Sequence, residues 1–334
     1  MKINKIFYFI MVMTVIFLVA ACSAEEESDE SNKEEGKTLR IGYINSTGAE
    51  EGKEAPIGGG EGWALHTGIM QEKLKEIGIE TIEYYAFPNG PDLNEAIGAK
   101  EVDVGLLGDT PALLAKSTGY ETTLVGLSAV NSNVWLISNK KEVITDIEQL
   151  KGKTVATAKG SYMYRYLLGL LLKHDLQDEV DLIHMLPPDA QASLEKGDIA
   201  AYAAPTFTGP KLAKNNFPII QQAIIDSPEL AGTSVTIGTN EFIQENPKFL
   251  EVWRATRTTA IKDLKENLDA YYNYYAEVSK QDLDVVIASY SEKVFNEESF
   301  PEEGLSLLEG TKLFLVEEGL MRNDFSINDW RKGK

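Results

Sequence analysis

The sequence predicts an α/β protein with two lobes and a helical C-terminal part. The chain has 334 residues, which is enough for two domains of about 100–200 residues each. Short runs rich in β-branched and aromatic residues alternate with amphipathic helical segments between residues 39 and 238, and the pattern is helical from residue 247 onward. Repeated strand–helix units of this kind are typical of parallel sheets covered by helices.

The charge balance limits the class of partner. The formal net charge is −20, with 32 Lys and Arg against 52 Asp and Glu. Nucleic-acid binding depends on neutralising phosphates with basic residues, so this balance argues against a nucleic-acid partner. An acidic excess is typical of proteins that stay soluble, and we expect a monomer.

The N-terminus carries a segment that resembles a bacterial lipoprotein signal. Lys2 and Lys5 precede an apolar run over 6–20, which is short for a membrane-spanning helix. Small residues then stand directly before Cys22, as in a lipobox. We expect residues 1–21 to be removed and Cys22 to carry the lipid that anchors the protein to the extracytoplasmic face of the membrane. An uncleaved anchor or an ordinary signal peptide is the alternative.

Residues 22–37 have the composition of a tether. Seven acidic residues and no large apolar one follow Cys22 up to residue 37. Such a segment cannot bury enough apolar surface to fold, so it is predicted to be disordered. Its length would let the folded part reach an integral membrane partner. Cys22 is also the only cysteine, and its lipidation would leave no thiol for a disulfide, a redox pair or a nucleophile.

A glycine-rich loop follows the first predicted strand, 39–45. The loop over 46–62 ends in GGGEG, where Gly58, Gly60 and Gly62 lack the G-x-G-x-x-G spacing of a dinucleotide fingerprint. We expect a flexible flap over a cleft, with Trp63 or His66 touching ligand; a plain surface loop is the alternative. A helix is predicted to run from residue 63 to about 77.

The stretch over 84–119 organises the first lobe. A strand from 79 to 87 leads through a Pro/Gly turn into a helix, and an apolar strand over 102–107 follows. Gly108 and Asp109 then precede Thr110 and Pro111, which suit the cap and the first position of a new helix. A helix N-terminus at the carboxyl end of a parallel strand is an anion site, so free N–H groups are expected here.

The second lobe repeats this arrangement. Strands over 122–130 and 134–139 are joined near Asn131, at the first predicted hinge crossing. After a short helix at 144–151 and a strand at 153–158, Ser161 is placed to cap an apolar helix that runs from Tyr162 to His174. Two helix N-termini converging from two lobes would clamp a small oxyanion.

The remaining elements complete the two lobes. Strands are predicted at 181–186, 199–204 and 233–238, and helices at 187–197, 247–279, 281–290 and 302–318. We expect residues 38–131 and 240–334 to form the first lobe and residues 132–239 the second.

Several side chains allow two interpretations. Asp109 would contact ligand or make local structural bonds, with the second favoured, and Arg165 would neutralise an anion or face solvent, with solvent favoured. The tyrosines of 271–275 are more typical of helix packing than of a binding platform. The three histidines share no metal-site spacing, and neither paired carboxylates nor a nucleophile–base pair can be placed. We therefore expect no cofactor, no metal and no enzyme activity.

Four segments resemble the substrate-binding lipoproteins of ABC importers, in the group for aliphatic sulfonates, taurine, nitrate and thiamine precursors. They are FPNGPDLNEAIGAKEVDVGLLGDTPALLA (87–115), DIEQLKGKTVATAKGS (146–161), LPPDAQASLEKGDIAAYA (186–203) and FLVEEGLMRNDFSINDW (314–330). The resemblance implies a type II periplasmic-binding-protein fold with two hinge crossings, a ligand in the cleft and delivery to a membrane permease. The segments FPNGP and GDTP look most like alkanesulfonate binders.

The resemblance also implies where the ligand sits. Sulfonate oxygens would meet N–H and hydroxyl groups near Gly108, Asp109, Thr110, Ser161 and Tyr162. Further candidate contacts are Trp63, Asn131 and Pro205. The chain departs from the group at 203–205, where alanines replace the usual aromatic and acidic residues, and in the longer 46–62 loop. Taurine, nitrate or a thiamine pyrimidine precursor therefore remain alternative ligands, and a cofactor-pathway enzyme or a non-transport surface lipoprotein remain alternative classes.

Overall fold

A computed structural model describes residues 36–45 and 54–332. The predicted signal peptide, Cys22, nearly all of the predicted tether and part of the glycine-rich loop lie outside the described residues. Among the residues described, no helix is both long and apolar enough to cross a membrane.

Two five-stranded sheets form the framework of the described chain. The first sheet has the order β2-β1-β3-β10-β4 and the second has the order β7-β6-β8-β5-β9. The strands are β1 Lys37–Ile44, β2 Ile79–Phe87, β3 Val104–Gly108, β4 Thr122–Ser132, β5 Trp135–Ser138, β6 Thr154–Thr157, β7 Asp181–His184, β8 Ala201–Ala204, β9 Ile219–Gln222 and β10 Gly232–Thr239.

The two sheets repeat one pairing pattern. In the first sheet, β1 is parallel to both β2 and β3, and β10 is antiparallel to β3 and β4. In the second, β6 is parallel to β7 and β8, and β5 is antiparallel to β8 and β9. Each sheet therefore presents the carboxyl ends of three parallel strands at one edge.

Helices connect and cover the strands. They are α1 Gly59–His66, α2 Ile69–Lys75, α3 Gly90–Gly98, α4 Asp109–Ser117, α5 Tyr162–Lys173, α6 Pro187–Lys196, α7 Thr208–Lys214, α8 Ala223–Asp226, α9 Asn240–Glu245, α10 Phe249–Glu266, α11 Leu268–Ser279, α12 Leu283–Ser289, α13 Glu302–Glu317 and α14 Ile327–Trp330. Single 3₁₀ turns lie at Ile147–Leu150, Pro228–Leu230 and Glu292–Val294.

Both faces of each sheet are buried, because strands with apolar side chains on both sides need helices on both sides. On one face of the first sheet, Leu39 and Ile41 belong to a core with Trp253 of α10. On the other face, Leu124 belongs to a core with Leu308 of α13. In the second sheet, α5 contributes to one core and α6 and α7 to the other.

The chain crosses between the sheets twice. It leaves the first sheet after β4 and enters the second at β5, close to the predicted crossing at Asn131. It returns after β9 through α8 and enters the first sheet at β10. The second lobe is expected from the sequence to end at residue 239, whereas β10 pairs with β3 and β4 of the first sheet. A division by sheets would therefore end the second lobe before Gly232.

The glycine-rich segment is helical where a flap was expected. Residues 59–62 form the start of α1 and are buried. The glycines permit close packing there: a Cβ on Gly60 would lie 2.6 Å from Ile261 Cδ1, and one on Gly62 would lie 1.7 Å from the Ile57 carbonyl oxygen. The predicted helix over 63–77 is broken at Gly68, whose φ of +81° interrupts the α-helix between α1 and α2.

Other element boundaries in the structure also differ from the predicted ones. The helix after β3 begins at Asp109 with Gly108 as its N-cap, so Thr110 is not the cap and Pro111 is not the first helical residue. The helix predicted over 247–279 breaks at Asn267, between α10 and α11. Helix α7 and strand β9 have no counterpart among the predicted elements; they follow strand β8 within a stretch that contains several Pro, Thr and Lys residues.

Substituting Gly60→Ala should destabilise the protein, because the added methyl would overlap Ile261 in the core. Overpacking of this kind costs about 1–3 kcal/mol of unfolding free energy. The control is Gly310→Ala in α13, where nothing lies within 4 Å of the new Cβ. Alanine in that helix should be neutral or stabilising by up to about 1 kcal/mol. Urea unfolding of the three proteins measures the difference; equal stability of the two variants would contradict close packing at Gly60.

Candidate functional site

A cavity of about 760 Å³ opens where the carboxyl ends of the parallel strands of both sheets meet. Residues that end or follow strands of the first sheet line it, including Asn45 after β1 and Gly108 at the end of β3. Ala158 after β6 and Pro205 after β8 line it from the second sheet. In α/β proteins, ligands bind in the crevice outside the carboxyl ends of the strands, so this cavity is the candidate site.

Six helices begin at this cavity. The lining residues at or next to their N-termini are Gly58 for α1, Gly90 for α3, Gly108 for α4, Ser161 for α5, Pro187 for α6 and Thr208 for α7. A helix N-terminus has N–H groups without a helical acceptor and the positive end of the helix dipole. Not every one of these N-termini offers donors, because α6 begins with Pro187 and Pro188, which have no N–H, and the Gly59 N–H of α1 donates to the Tyr271 hydroxyl. The cavity is suited to an anion only where the N–H groups are free, although the whole chain is strongly acidic.

At α5 the donors that remain for an anion are backbone groups. The Ser161 hydroxyl donates to the Ala158 carbonyl (2.6 Å) and accepts from the Tyr164 N–H (3.3 Å), which confirms Ser161 as the predicted cap. Its proton is thereby used within the protein. The N–H groups of Tyr162 and Met163 lie in the first turn, where no earlier helical carbonyl can accept them.

At α4 the expectation of a free helix N-terminus is corrected. Asp109 is fully buried, and its carboxylate accepts from the N–H and the hydroxyl of Thr110. Pro111 has no N–H to offer. The other oxygen of the same carboxylate accepts from the N–H of Thr233 at 2.8 Å and from its hydroxyl at 3.2 Å. Asp109 and Thr110 are not among the residues that line the cavity.

Arg165 is buried, so the expectation that it faces solvent was wrong. Only 1% of its surface is exposed, and its guanidinium donates to the carbonyls of Leu230 and Ala231 and lies 3.9 Å from the Asp109 carboxylate. Burial lowers the pKa of Arg165, and the negative charge of Asp109 opposes that effect. Arg165 thus links α5 of the second sheet to α4 of the first sheet and to the returning chain.

Three more predicted residues lie away from the cavity. The Trp63 indole N–H donates to Asp263, and its ring contacts Tyr271 and Tyr274. The Asn131 side chain donates to Glu303 at 2.7 Å. His66, which was also considered, stacks on Tyr274 at 3.8 Å between ring centres.

Four predicted residues do line the cavity: Gly108, Ser161, Tyr162 and Pro205. Burial raises the pKa of the Tyr162 hydroxyl above its ordinary value, and hydrogen bonding with Thr206 opposes that effect. The Tyr162 ring lies against the backbone of the first sheet, since a Cβ on Gly108 would be 3.3 Å from Tyr162 Cδ1. One wall of the second lobe is therefore in contact with the end of β3.

The cavity also has an aromatic wall that the sequence did not predict. Phe207, Tyr275 and Tyr290 line the cavity and contact one another, with ring centres 5.4–5.7 Å apart. Phe207 follows β8 by three residues, close to the alanines at 203–204. The tyrosines over 271–275 are buried, as expected of packing residues, but Tyr275 also faces the cavity. The aromatic residues are visible in the sequence. Because these three rings are far apart along the chain, no local pattern shows that they lie together.

Glu61 and Ser128 were also missed. Both line the cavity, and Glu61 forms a buried ion pair with Arg257 at 3.1 Å. Glu61 lies inside the segment that was expected to be a flexible loop. For that reason it was not predicted to be buried. Among the described residues, no group of three or more His, Cys, Asp or Glu side chains could hold a metal ion.

Comparison with known families decides the affiliation of the chain. The family described as "NMT1/THI5 like" matches residues 74–267, more than half of the sequence. The chain belongs to the NMT1/THI5-like family. The matched residues include α4, α5 and the returning strand β10, so they contain most of the helix N-termini at the cavity.

Curated relatives of this NMT1/THI5-like protein are binding proteins. It is 26% identical over 285 residues to the "Putative aliphatic sulfonates-binding protein" of Bacillus subtilis, covering 83% of this chain and 80% of the relative. It is 24% identical over 211 residues to the taurine-binding periplasmic protein of Escherichia coli, covering 62% of this chain and 64% of the relative.

Solved structures show that the fold is that of the periplasmic binding proteins. The periplasmic aliphatic sulphonate binding protein of Escherichia coli superposes with a TM-score of 0.70 at 20% identity, covering 88% of this chain and 96% of that protein. A desulfurization enzyme superposes with a TM-score of 0.66 at 16% identity, covering 88% and 96%. At these identities the likeness shows the fold alone, and the fold serves binding proteins and enzymes alike.

Substituting Arg165→Met should destabilise the protein strongly. The change leaves Asp109 without its nearby cation and two carbonyls without a donor, and breaking a buried charge pair costs roughly 3–5 kcal/mol. The control is Lys173→Met on the same helix, which removes an exposed pair with Glu229. That change should cost less than about 1 kcal/mol. Chemical denaturation checks both values, and similar losses for the two variants would show that Arg165 is not a structural link.

Proposed function

We propose that the protein captures a small organic anion, an aliphatic sulfonate, in the cavity between the two sheets and delivers it to the permease of an ABC importer. The observation that carries this proposal is the N-terminus of the long helix α5 at a cavity that residues of both sheets line. The family membership and the sulfonate-binding relatives support the same ligand class. The protein would be a monomer at the extracytoplasmic face, held there by lipid on Cys22.

The sulfonate group would lie at the N-terminus of α5. Its oxygens accept hydrogen bonds only, so they suit the backbone N–H groups of Tyr162 and Met163, beside Gly108 and Ser161. Hydrogen bonds to a charged group contribute about 1.5–3 kcal/mol each. Asp109 and Thr110 would support this wall from behind, since their polar atoms bond to each other and to Thr233.

The organic part of the ligand would lie against the aromatic wall of Phe207, Tyr275 and Tyr290, with Pro205 beside it. Phe207 lies directly before α7, Tyr275 lies in α11 and Tyr290 directly follows α12. They would take the place of the aromatic residue that the resemblance to sulfonate binders leads one to expect around 203–205.

Binding would close two lobes built on the two sheets, and the permease would recognise the closed form. Each sheet supplies helix N-termini, so a bound anion interacts fully only when both halves meet. Close contact across the cavity is compatible with this state: a Cβ on Gly160 after β6 would lie 3.2 Å from Pro91 Cγ in α3. The hinge would comprise the crossing between β4 and β5 and the one between β9 and β10.

We propose binding without catalysis. The described residues that line the cavity include neither histidine nor cysteine, and the Ser161 proton is committed to the Ala158 carbonyl. A serine nucleophile requires an adjacent base to activate it. The protein would therefore release its ligand chemically unchanged, which mass spectrometry of the ligand after prolonged incubation would test directly.

Thermal melting of the purified full-length chain tests the ligand class. A true ligand at 100 times its dissociation constant stabilises the folded state by about 2.7 kcal/mol, a shift of several degrees for a protein of this size. We expect alkanesulfonates to raise the melting temperature, whereas sulfate, nitrate, an alkylphosphonate and the thiamine pyrimidine should not. A shift with one of those compounds alone would leave a binding protein but refute the sulfonate assignment.

Substituting Gly108→Ala tests the anion end of the cavity. Gly108 has φ of −73°, which alanine adopts readily, so the fold should be little affected. The new methyl would press on Tyr162 and occupy space beside α5, and sulfonate affinity should fall about tenfold, equivalent to about 1.4 kcal/mol. Isothermal titration calorimetry measures the change against Gly310→Ala. Unchanged affinity would place the anion elsewhere in the cavity.

A further inference from the structure

One part of the cavity wall contains hydrogen-bond acceptors, in contrast to the helix N-termini. A chain of hydrogen bonds runs from Arg257 through Glu61 and Thr236 to Ser128. The Glu61 Oε1 atom accepts from Arg257 Nε at 3.1 Å and from the Thr236 hydroxyl at 3.2 Å. The Thr236 and Ser128 hydroxyl oxygens are 2.9 Å apart. Glu61 and Ser128 are the two members that line the cavity.

The position of each proton in this chain follows from the chemistry of its members. An ionised carboxylate only accepts hydrogen bonds, so the Thr236 hydroxyl must direct its single proton at Glu61. Thr236 can then only accept from Ser128, which uses the Ser128 proton as well. The Ser128 oxygen is left with lone pairs for any molecule in the cavity.

The second carboxylate oxygen of Glu61 also lacks a donor. Glu61 is only 1% exposed, and within the described residues its Oε2 atom has no hydrogen-bond partner. A buried acceptor without a donor raises the free energy of the folded state. A Cβ on Gly59 would lie 3.7 Å from this oxygen, so the glycine leaves space beside Oε2.

The charge of Glu61 is already balanced. Arg257 is equally buried, and its guanidinium also donates to the carbonyls of Leu127 and Asn296, both at 2.9 Å. The pair therefore does not demand a second cation. The unpartnered Oε2 atom favours a group that donates a hydrogen bond, and it disfavours sulfonate oxygens, which are acceptors like those of the wall.

We propose that Glu61 and Ser128 form a subsite for a hydrogen-bond-donating group, a hydroxyl or an ammonium, at the end of the ligand away from its sulfonate. This inference rests on the proposed function and narrows it to hydroxy- or amino-substituted alkanesulfonates. Glu61 is then a specificity residue that contacts the ligand, and Arg257 and Thr236 position its carboxylate.

Calorimetric titration of the full-length chain compares matched ligands. The probes are ethanesulfonate, 2-hydroxyethanesulfonate and 2-aminoethanesulfonate, with their propane-1-sulfonate counterparts to allow for the length of the cavity. At least one donor-bearing compound should bind about tenfold or more tightly than the plain alkanesulfonate of the same length. The hydroxyl and amino compounds together identify which donor the wall prefers.

Two variants locate the preference. Glu61→Gln keeps the shape, but its amide oxygen would face Arg257 and its NH₂ group would take the place of Oε2, so the preference for a donor should disappear. Ser128→Ala removes the other acceptor and should reduce the preference several-fold without disturbing the Arg257 pair, which keeps the test available if Glu61→Gln does not fold. Gly310→Ala in α13 should leave the ratio unchanged.

The outcomes separate this inference from the function on which it rests. If no sulfonate binds, both fail. If plain and donor-bearing sulfonates bind equally, the sulfonate function stands and the subsite is refuted. Equal binding is the result expected if water alone satisfies these acceptors. If a preference exists but survives both substitutions, the donor is recognised elsewhere and the subsite is again refuted.

Discussion

The arrangement of the cavity depends on the interactions of one buried group, the carboxylate of Asp109. It accepts hydrogen bonds from the first turn of α4 and from Thr233 of the returning strand, and it lies beside Arg165 of the second-sheet helix α5. A charge in a dry site must be compensated by donors and by an opposite charge. These requirements hold α4, β10 and α5 in one geometry, which places two helix N-termini on the same cavity.

This role of Asp109 changes how an anion would be held. Side-chain hydroxyls of Thr110 and Ser161 seemed obvious donors, yet both are engaged within the protein. The donors that remain at α5 are main-chain N–H groups. A site made of main-chain groups loses little side-chain entropy on binding and has a fixed direction, so its preference for anions depends on the fold rather than on individual side chains.

The cavity is polarised. The N-terminus of α5 supplies main-chain donors in one part, whereas Glu61 and Ser128 supply acceptors in another part, and the rings of Phe207, Tyr275 and Tyr290 lie in the same lining. A ligand with an anionic group at one end and a donor at the other would satisfy both parts. A site of this kind rejects ligands that leave its buried polar groups unpaired. This discriminates between similar ligands more strongly than apolar contact alone.

The sequence by itself determined the α/β class, the strand–helix order, Ser161 as a cap, the first crossing near Asn131 and the similarity to sulfonate-binding proteins. These features follow from local periodicity, turn residues and short motifs. The tertiary structure decided the roles of Arg165, Asp109 and Glu61, the helical state of residues 59–62 and the aromatic wall. Burial, ion pairing and close glycine contacts join residues far apart in the chain, such as Glu61 with Arg257, and no local pattern specifies which distant residue will be the partner.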